Sequence, residues 1–140
     1  MNFFQKEIVL SEKPRGFHLV TREIFSQISG IKEFKKGIAH IFIQHTSASL
    51  TVNENADPTV RSDMETYFNL TVPEDAEYYE HTLEGPDDTT SHIKSSILGQ
   101  SITVPVTNGT FNLGTWQGIY LCEHRNQGGK RHIIVTITGE

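Results

Sequence analysis

The chain has 140 residues, 36% of them hydrophobic, and a formal net charge of −5. That length suits one domain, residues 1–140, with a core that needs no staples, and the acidic balance argues against a broad basic nucleic-acid face. The single cysteine, Cys122, excludes an intramolecular disulfide, and no apolar run approaches the ~18 residues of a membrane span. MNFFQKEIVL has neither the basic start nor the apolar run of a signal peptide, so the expectation is a cytoplasmic protein with no membrane partner.

Residues 3–10 alternate as a strand, and Pro14-Arg15-Gly16 marks a turn. Residues 17–20 read as a short strand or helix lead-in. Ile24, Phe25 and Ile28 fall at helical spacing within 21–29, with Gly30 as the stop. Residues 38–44 form a strongly apolar strand and 50–53 a second, shorter one. Asp57 then caps a helix with Pro58 at its first position, where a missing N–H costs nothing. Val60, Met64, Tyr67 and Phe68 give that helix an apolar face.

Residues 72–88 form a long acidic loop, with one helical turn expected at 73–79. Loops of this length inside a compact domain are usually functional or disordered. A short helix begins near Asp88 and ends at Gly99, with Ile93, Ile97 and Leu98 expected to face inward. Residues 101–106 are a strand, Asn108-Gly109 is a hairpin turn, and strands at 118–123 and 132–138 flank a Gly128-Gly129 turn. Strands gather at both ends and do not alternate with helices, which is an α+β class.

Chemistry concentrates in a few places. His45 continues the face of Ile41 and Ile43 but sits where the strand exits, followed by the small residues Thr46-Ser47-Ala48-Ser49. Asn53 and Glu54 lie beside it in a polar connection. His92 falls in the first turn of its helix with Asp88 four residues earlier, placed to orient the ring; His81 lies in the acidic loop. Neutral imidazoles beside carboxylates suit a metal or an acid–base site, although no HxH or HExxH spacing ties the three together. Gly114 and Gly118 bracket the only tryptophan in Gly114-Thr115-Trp116-Gln117-Gly118, a pattern suited to stacking and hydrogen bonding. Arg125, Lys130 and Arg131 form a local basic cluster able to hold phosphate. Cys122 reads as a small buried side chain in mid-strand, and no GxSxG is present, so nucleophilic Ser or Cys catalysis fits poorly.

The blocks HTSASLTVNENADP, DDTTSHIKSSILG and PVTNGTFNLGTWQGIYLCEHR, with Asp63-Met64 and His81 between them, resemble the YjbQ-like proteins. That family is also described as secondary thiamine-phosphate synthases, and the resemblance runs from about residue 3 to residue 140. It implies an α+β sandwich-type domain of about seven to nine mainly antiparallel strands with about three helices, assembled as a homotrimer. It implies metal ligation by His45, His81 and His92, and catalytic roles for His45, His92, Glu54 and Glu123. Substrate contacts would come from Asn53, Asp57, Trp116, Gln117, Arg125 and Arg131; His124 carries over no role. The implied reaction joins a hydroxymethylpyrimidine diphosphate to a thiazole phosphate with loss of pyrophosphate, using a divalent metal, Zn²⁺ or Mg²⁺. Three imidazoles suit Zn²⁺ better than Mg²⁺, which prefers oxygen. The alternatives are a metal-dependent hydrolase or lyase on a small phosphorylated or carbonyl compound, and a metal- or ligand-binding trimer without turnover.

Overall fold

A computed structural model describes residues 2–140. Eight strands form two antiparallel sheets. The larger contains β1 (Asn2–Leu10), β8 (Arg131–Gly139), β3 (Lys36–Ile43), β5 (Ser101–Thr107) and β6 (Thr110–Phe111) in that order. The smaller orders β2 (Gly16–Leu19), β7 (Gln117–Glu123) and β4 (Ala48–Glu54). Helices α1 (Thr21–Phe25), α2 (Pro58–Thr71) and α3 (Asp88–Leu98) complete the α+β domain, with a 3-10 turn at Ser29–Glu33. That turn runs through Gly30, the expected stop of a helix over 21–29, and α1 itself ends at Phe25.

Strand periodicity builds the core. Ile41 and Ile43 of β3, Ile133, Val135 and Ile137 of β8, and Ile8 and Leu10 of β1 point one way and are fully buried. They meet Leu50 of β4 and Ile119 and Leu121 of β7 in one apolar layer between the sheets. The alternate residues of β7, Tyr120 and Cys122, face the helices and pack with Phe17, Met64 and Phe68. β7 is therefore covered on both sides, as its nearly unbroken burial from Gly118 to Glu123 records. Asn108 at φ 51° and Gly109 at φ 77° form the tight hairpin between β5 and β6.

Two helices depart from their sequence patterns. α2 starts as expected, with Asp57 accepting from Thr59 N at 2.9 Å, but it buries no residue fully, and Tyr67 of its apolar set is exposed. α3 turns its polar face inward. Asp88, Thr90, Ser91, Lys94 and Ser95 are buried, while Ile97 is 58% exposed. The expectation that Ile97 faces the core is corrected here: the surface beneath α3 is hydrogen-bonding, as Ser95 Oγ shows by donating to the Ala48 carbonyl at 2.9 Å. Residues 73–79 form turns and no helical turn.

Candidate functional site

β7 runs Gln117 to Glu123, so its two ends lie about 20 Å apart at ~3.3 Å per residue. The candidate residues separate between these ends. At one end Glu54 accepts from the backbone of Ala56 and Asp57 at 2.8 and 3.0 Å. Asn53 Oδ1 accepts from Glu54 N at 2.7 Å, and Gln117 Oε1 from Gly114 N at 2.8 Å. Asp57 is the helix cap. These side chains build turns, and Trp116, 66% exposed, projects from one of them. The proximity expected between Glu54 and the histidines is absent.

The opposite end holds the chemistry. Asp88, at the start of α3, is buried, and its Oδ2 lies 2.7 Å from His81 Nε2 and 3.0 Å from His92 Nε2. One ligand atom from each of the three lies within 4.8 Å of the others. The 73–87 loop folds back to bring in His81, which stands at 5.5 Å from His92 between ring centroids. Arg125 Nη1 reaches Asp88 Oδ1 at 3.1 Å, and Asp87 fixes the strand exit by accepting from Asn126 N at 2.9 Å. Burial disfavours ionising Asp88, but the hydrogen bond from His81 and the charges of His92 and Arg125 outweigh it and hold its pKa below the usual carboxylate range.

His92 carries the decisive detail. Its Nδ1 lies 2.9 Å from the Thr46 carbonyl, which can only accept. In the neutral ring Nδ1 therefore bears the hydrogen, and the Nε2 lone pair points at the Asp88 carboxylate. Two lone pairs 3.0 Å apart call for a cation between them, a proton or a metal. A backbone carbonyl on the second ring nitrogen is also the usual support of a metal-ligating histidine. Ligand atoms of a tetrahedral set at ~2.0–2.1 Å from the ion lie about 3.3 Å apart, so small side-chain adjustments suffice. Two imidazoles and one carboxylate fit a transition ion better than Mg²⁺.

His45 does not join this cluster. Its Nε2 accepts from the backbone N–H of His132 at 2.8 Å, and its Nδ1 faces Arg131 Nη1 at 3.2 Å. The three-histidine convergence is thus corrected to two histidines and an aspartate. Glu123 is fully buried in a bidentate pair with Arg131, with Nε 2.7 Å from Oε1 and Nη2 2.5 Å from Oε2. This pair spans the two sheets and closes the end of the core, so Glu123 is no free acid. Spacing alone suggests Asp88 as an orienting group, and its i, i+4 relation to His92 is the sequence signal for the direct role seen here.

This architecture recurs in solved structures. The family model for UPF0047 protein YjbQ-like matches residues 6–140. The chain belongs to the YjbQ-like UPF0047 family. A YjbQ-like relative, UPF0047 protein YjbQ of Salmonella typhimurium, is 58% identical over 138 residues, covering 99% of each chain. That of Escherichia coli O157:H7 is 56% identical with the same coverage. Among solved structures, a YbjQ-like protein of unknown function from Sulfolobus solfataricus P2 superposes with a TM-score of 0.86 at 27% identity, covering 99% of each chain. A YjbQ/UPF0047 protein from Clostridium acetobutylicum gives 0.83 at 33% identity, covering 95% of this chain and 99% of its own.

Proposed function

We propose that the chain is a metal-dependent enzyme acting on a small phosphorylated compound, with His81, Asp88 and His92 holding a divalent transition ion. The supporting observation is the His92 ring, donating to Thr46 through Nδ1 and aiming its Nε2 lone pair at Asp88. A bound ion supplies Lewis acidity to a phosphoryl or carbonyl oxygen. The chain's own part is to hold Asp88 in place through Arg125, to fix the His92 tautomer through Thr46, and to bring in His81 on the 73–87 loop.

The condensation implied by the family resemblance, with pyrophosphate as leaving group, belongs to this reaction class, as does hydrolysis or elimination at a phosphorylated substrate. Homotrimeric assembly is part of the same proposal. The outer face of the five-stranded sheet leaves Phe3, Ile38 and Phe42 exposed, which suits burial against further copies.

Elemental analysis of purified protein before and after chelation is the first test, with about one equivalent of a transition metal expected per chain. Pyrophosphate release from a hydroxymethylpyrimidine diphosphate and a thiazole phosphate, and phosphate release from simple esters, are then assayed on both forms. Turnover that is lost on chelation and in His92→Ala supports the proposal; metal binding without turnover reduces it to a binding protein, and no metal at the site overturns it. Sedimentation at micromolar concentration should give three times the 15.8 kDa chain mass.

A further inference from the structure

Lys94 is 1% exposed, yet it makes no ion pair among the described residues. Its Nζ donates to Asn69 Oδ1 at 2.7 Å. A buried ammonium on a neutral acceptor needs a counter-charge close by. The same Asn69 oxygen accepts from Arg15 Nη2 at 2.7 Å, so two cations share it. Both balancing anions stand on Arg15. Glu65 Oε1 lies 3.2 Å from Nε, and Glu74 pairs with Nη1. Glu65 also accepts from Asn69 Nδ2 at 3.1 Å, which closes the cluster.

These side chains come from separate segments. Arg15 sits in the turn before β2, Glu65 and Asn69 belong to α2, and Lys94 belongs to α3, the helix of Asp88 and His92. Glu74 lies at the start of the loop that carries His81. Glu65 offsets one of the two cations and Glu74 offsets the other. With the loop seated the cluster is neutral. Without Glu74 one positive charge stays unbalanced beside a buried ammonium.

Backbone bonding within the loop is local. Tyr79 N donates to Ala76 O at 3.2 Å, and Asp88 N donates to Gly85 O at 3.3 Å. At the far end the Thr89 hydroxyl holds the His81 carbonyl, and Arg125 Nη2 donates to the Glu84 carbonyl at 3.3 Å. At the near end the polar anchor is Glu74. Glu74 and His81 wall the same cavity of about 280 Å³, with Tyr79 and Thr89 between them.

We propose that Lys94, Asn69, Arg15 and Glu74 are positioning residues that set the His81 loop against α3, so that His81 meets Asp88 and His92. None of the four bonds to that cluster; they act through the loop. The consequence for metal affinity rests on the function proposed above, whereas the seating of the loop does not.

Two readouts test this. Chymotrypsin cleavage after Tyr78 and Tyr79, located by mass spectrometry, reports loop seating in metal-free protein, and calorimetric titration with Zn²⁺ reports the site. Glu74→Gln keeps the shape and removes the charge. It should speed cleavage and weaken Zn²⁺ binding by about threefold to fivefold each, the scale of one part-exposed ion pair. Adding Lys94→Met removes the unbalanced cation, since Arg15 and Glu65 then match, so both readouts should return toward the parent. A contact that served packing alone would give losses that add. Unchanged cleavage in Glu74→Gln, or additive losses in the double variant, overturns the proposal. If the parent takes up no Zn²⁺, the metal reading fails and the cleavage comparison alone decides the positioning role.

Discussion

Arg125 stands on Asp88, its Nη1 3.1 Å from Oδ1, and so leaves only Oδ2 turned toward the two histidines. The guanidinium occupies one carboxylate oxygen and turns the other toward the histidines. Asp88→Asn preserves the shape and removes the charge. Calorimetric titration with Zn²⁺ should show affinity falling by about 100-fold or more in Asp88→Asn and in His92→Ala, beyond the ~10–100-fold typical of outer-shell partners. His45→Ala should bind as the parent does. Equal losses in all three would restore the three-histidine site.

His124 is buried beneath the helices, 2.8 Å from Ser49 Oγ, and burial, followed by the charges of Lys94, Arg131 and Arg15, pushes its pKa down to about 3. The unfolded chain protonates this ring near the ordinary 6.5 while the folded chain does not. The stabilisation is therefore complete above about pH 6.5 and is lost as pH falls toward 3, at up to about 1.4 kcal/mol per pH unit. Urea unfolding at pH 7, 6 and 5 should show this slope, and His124→Asn should flatten it.

A Cβ at Gly128 would lie 2.3 Å from Glu123 Oε1 and 2.5 Å from Arg131 Nη2, whereas one at Gly129 meets nothing within 4 Å but sits at φ 72°. Gly129→Ala should cost about 1–2 kcal/mol for the left-handed backbone alone. Gly128→Ala displaces a buried ion pair and should cost about 3 kcal/mol or more. Thermal and denaturant unfolding of the two variants gives the comparison, and equal costs would mean the loop gives way without disturbing the pair.

Asp57 serves as the α2 cap, accepting from Thr59 N at 2.9 Å and Thr59 Oγ1 at 2.8 Å. Asp57→Ala should lower stability by removing the cap and leave Zn²⁺ affinity unchanged. A large loss of metal or phosphate binding with intact stability would instead favour the substrate-binding role implied by the resemblance.

Local rules were written plainly in the chain. Alternation marked β1, β3 and β8, Asp57-Pro58 marked the start of α2, and Asn108-Gly109 marked a hairpin, because each is set by neighbouring residues. The inward face of α3 was not legible. Apolar periodicity assumes an apolar partner, and here Lys94, 1% exposed, and Ser95 turn inward onto polar groups from distant segments.

The site divides the same way. His92 with Asp88 one helical turn before it could be read from spacing, since four residues place both on one face. Only the fold-back of residues 73–87 decided that His81 joins them. Only the tertiary structure decided that His45 does not. Its nitrogens are met by His132 and Arg131, which the pairing of β8 beside β3 brings to the exit of β3. Residue type settled that histidine chemistry was available; which donor or lone pair each ring presents depended on partners far away in the chain.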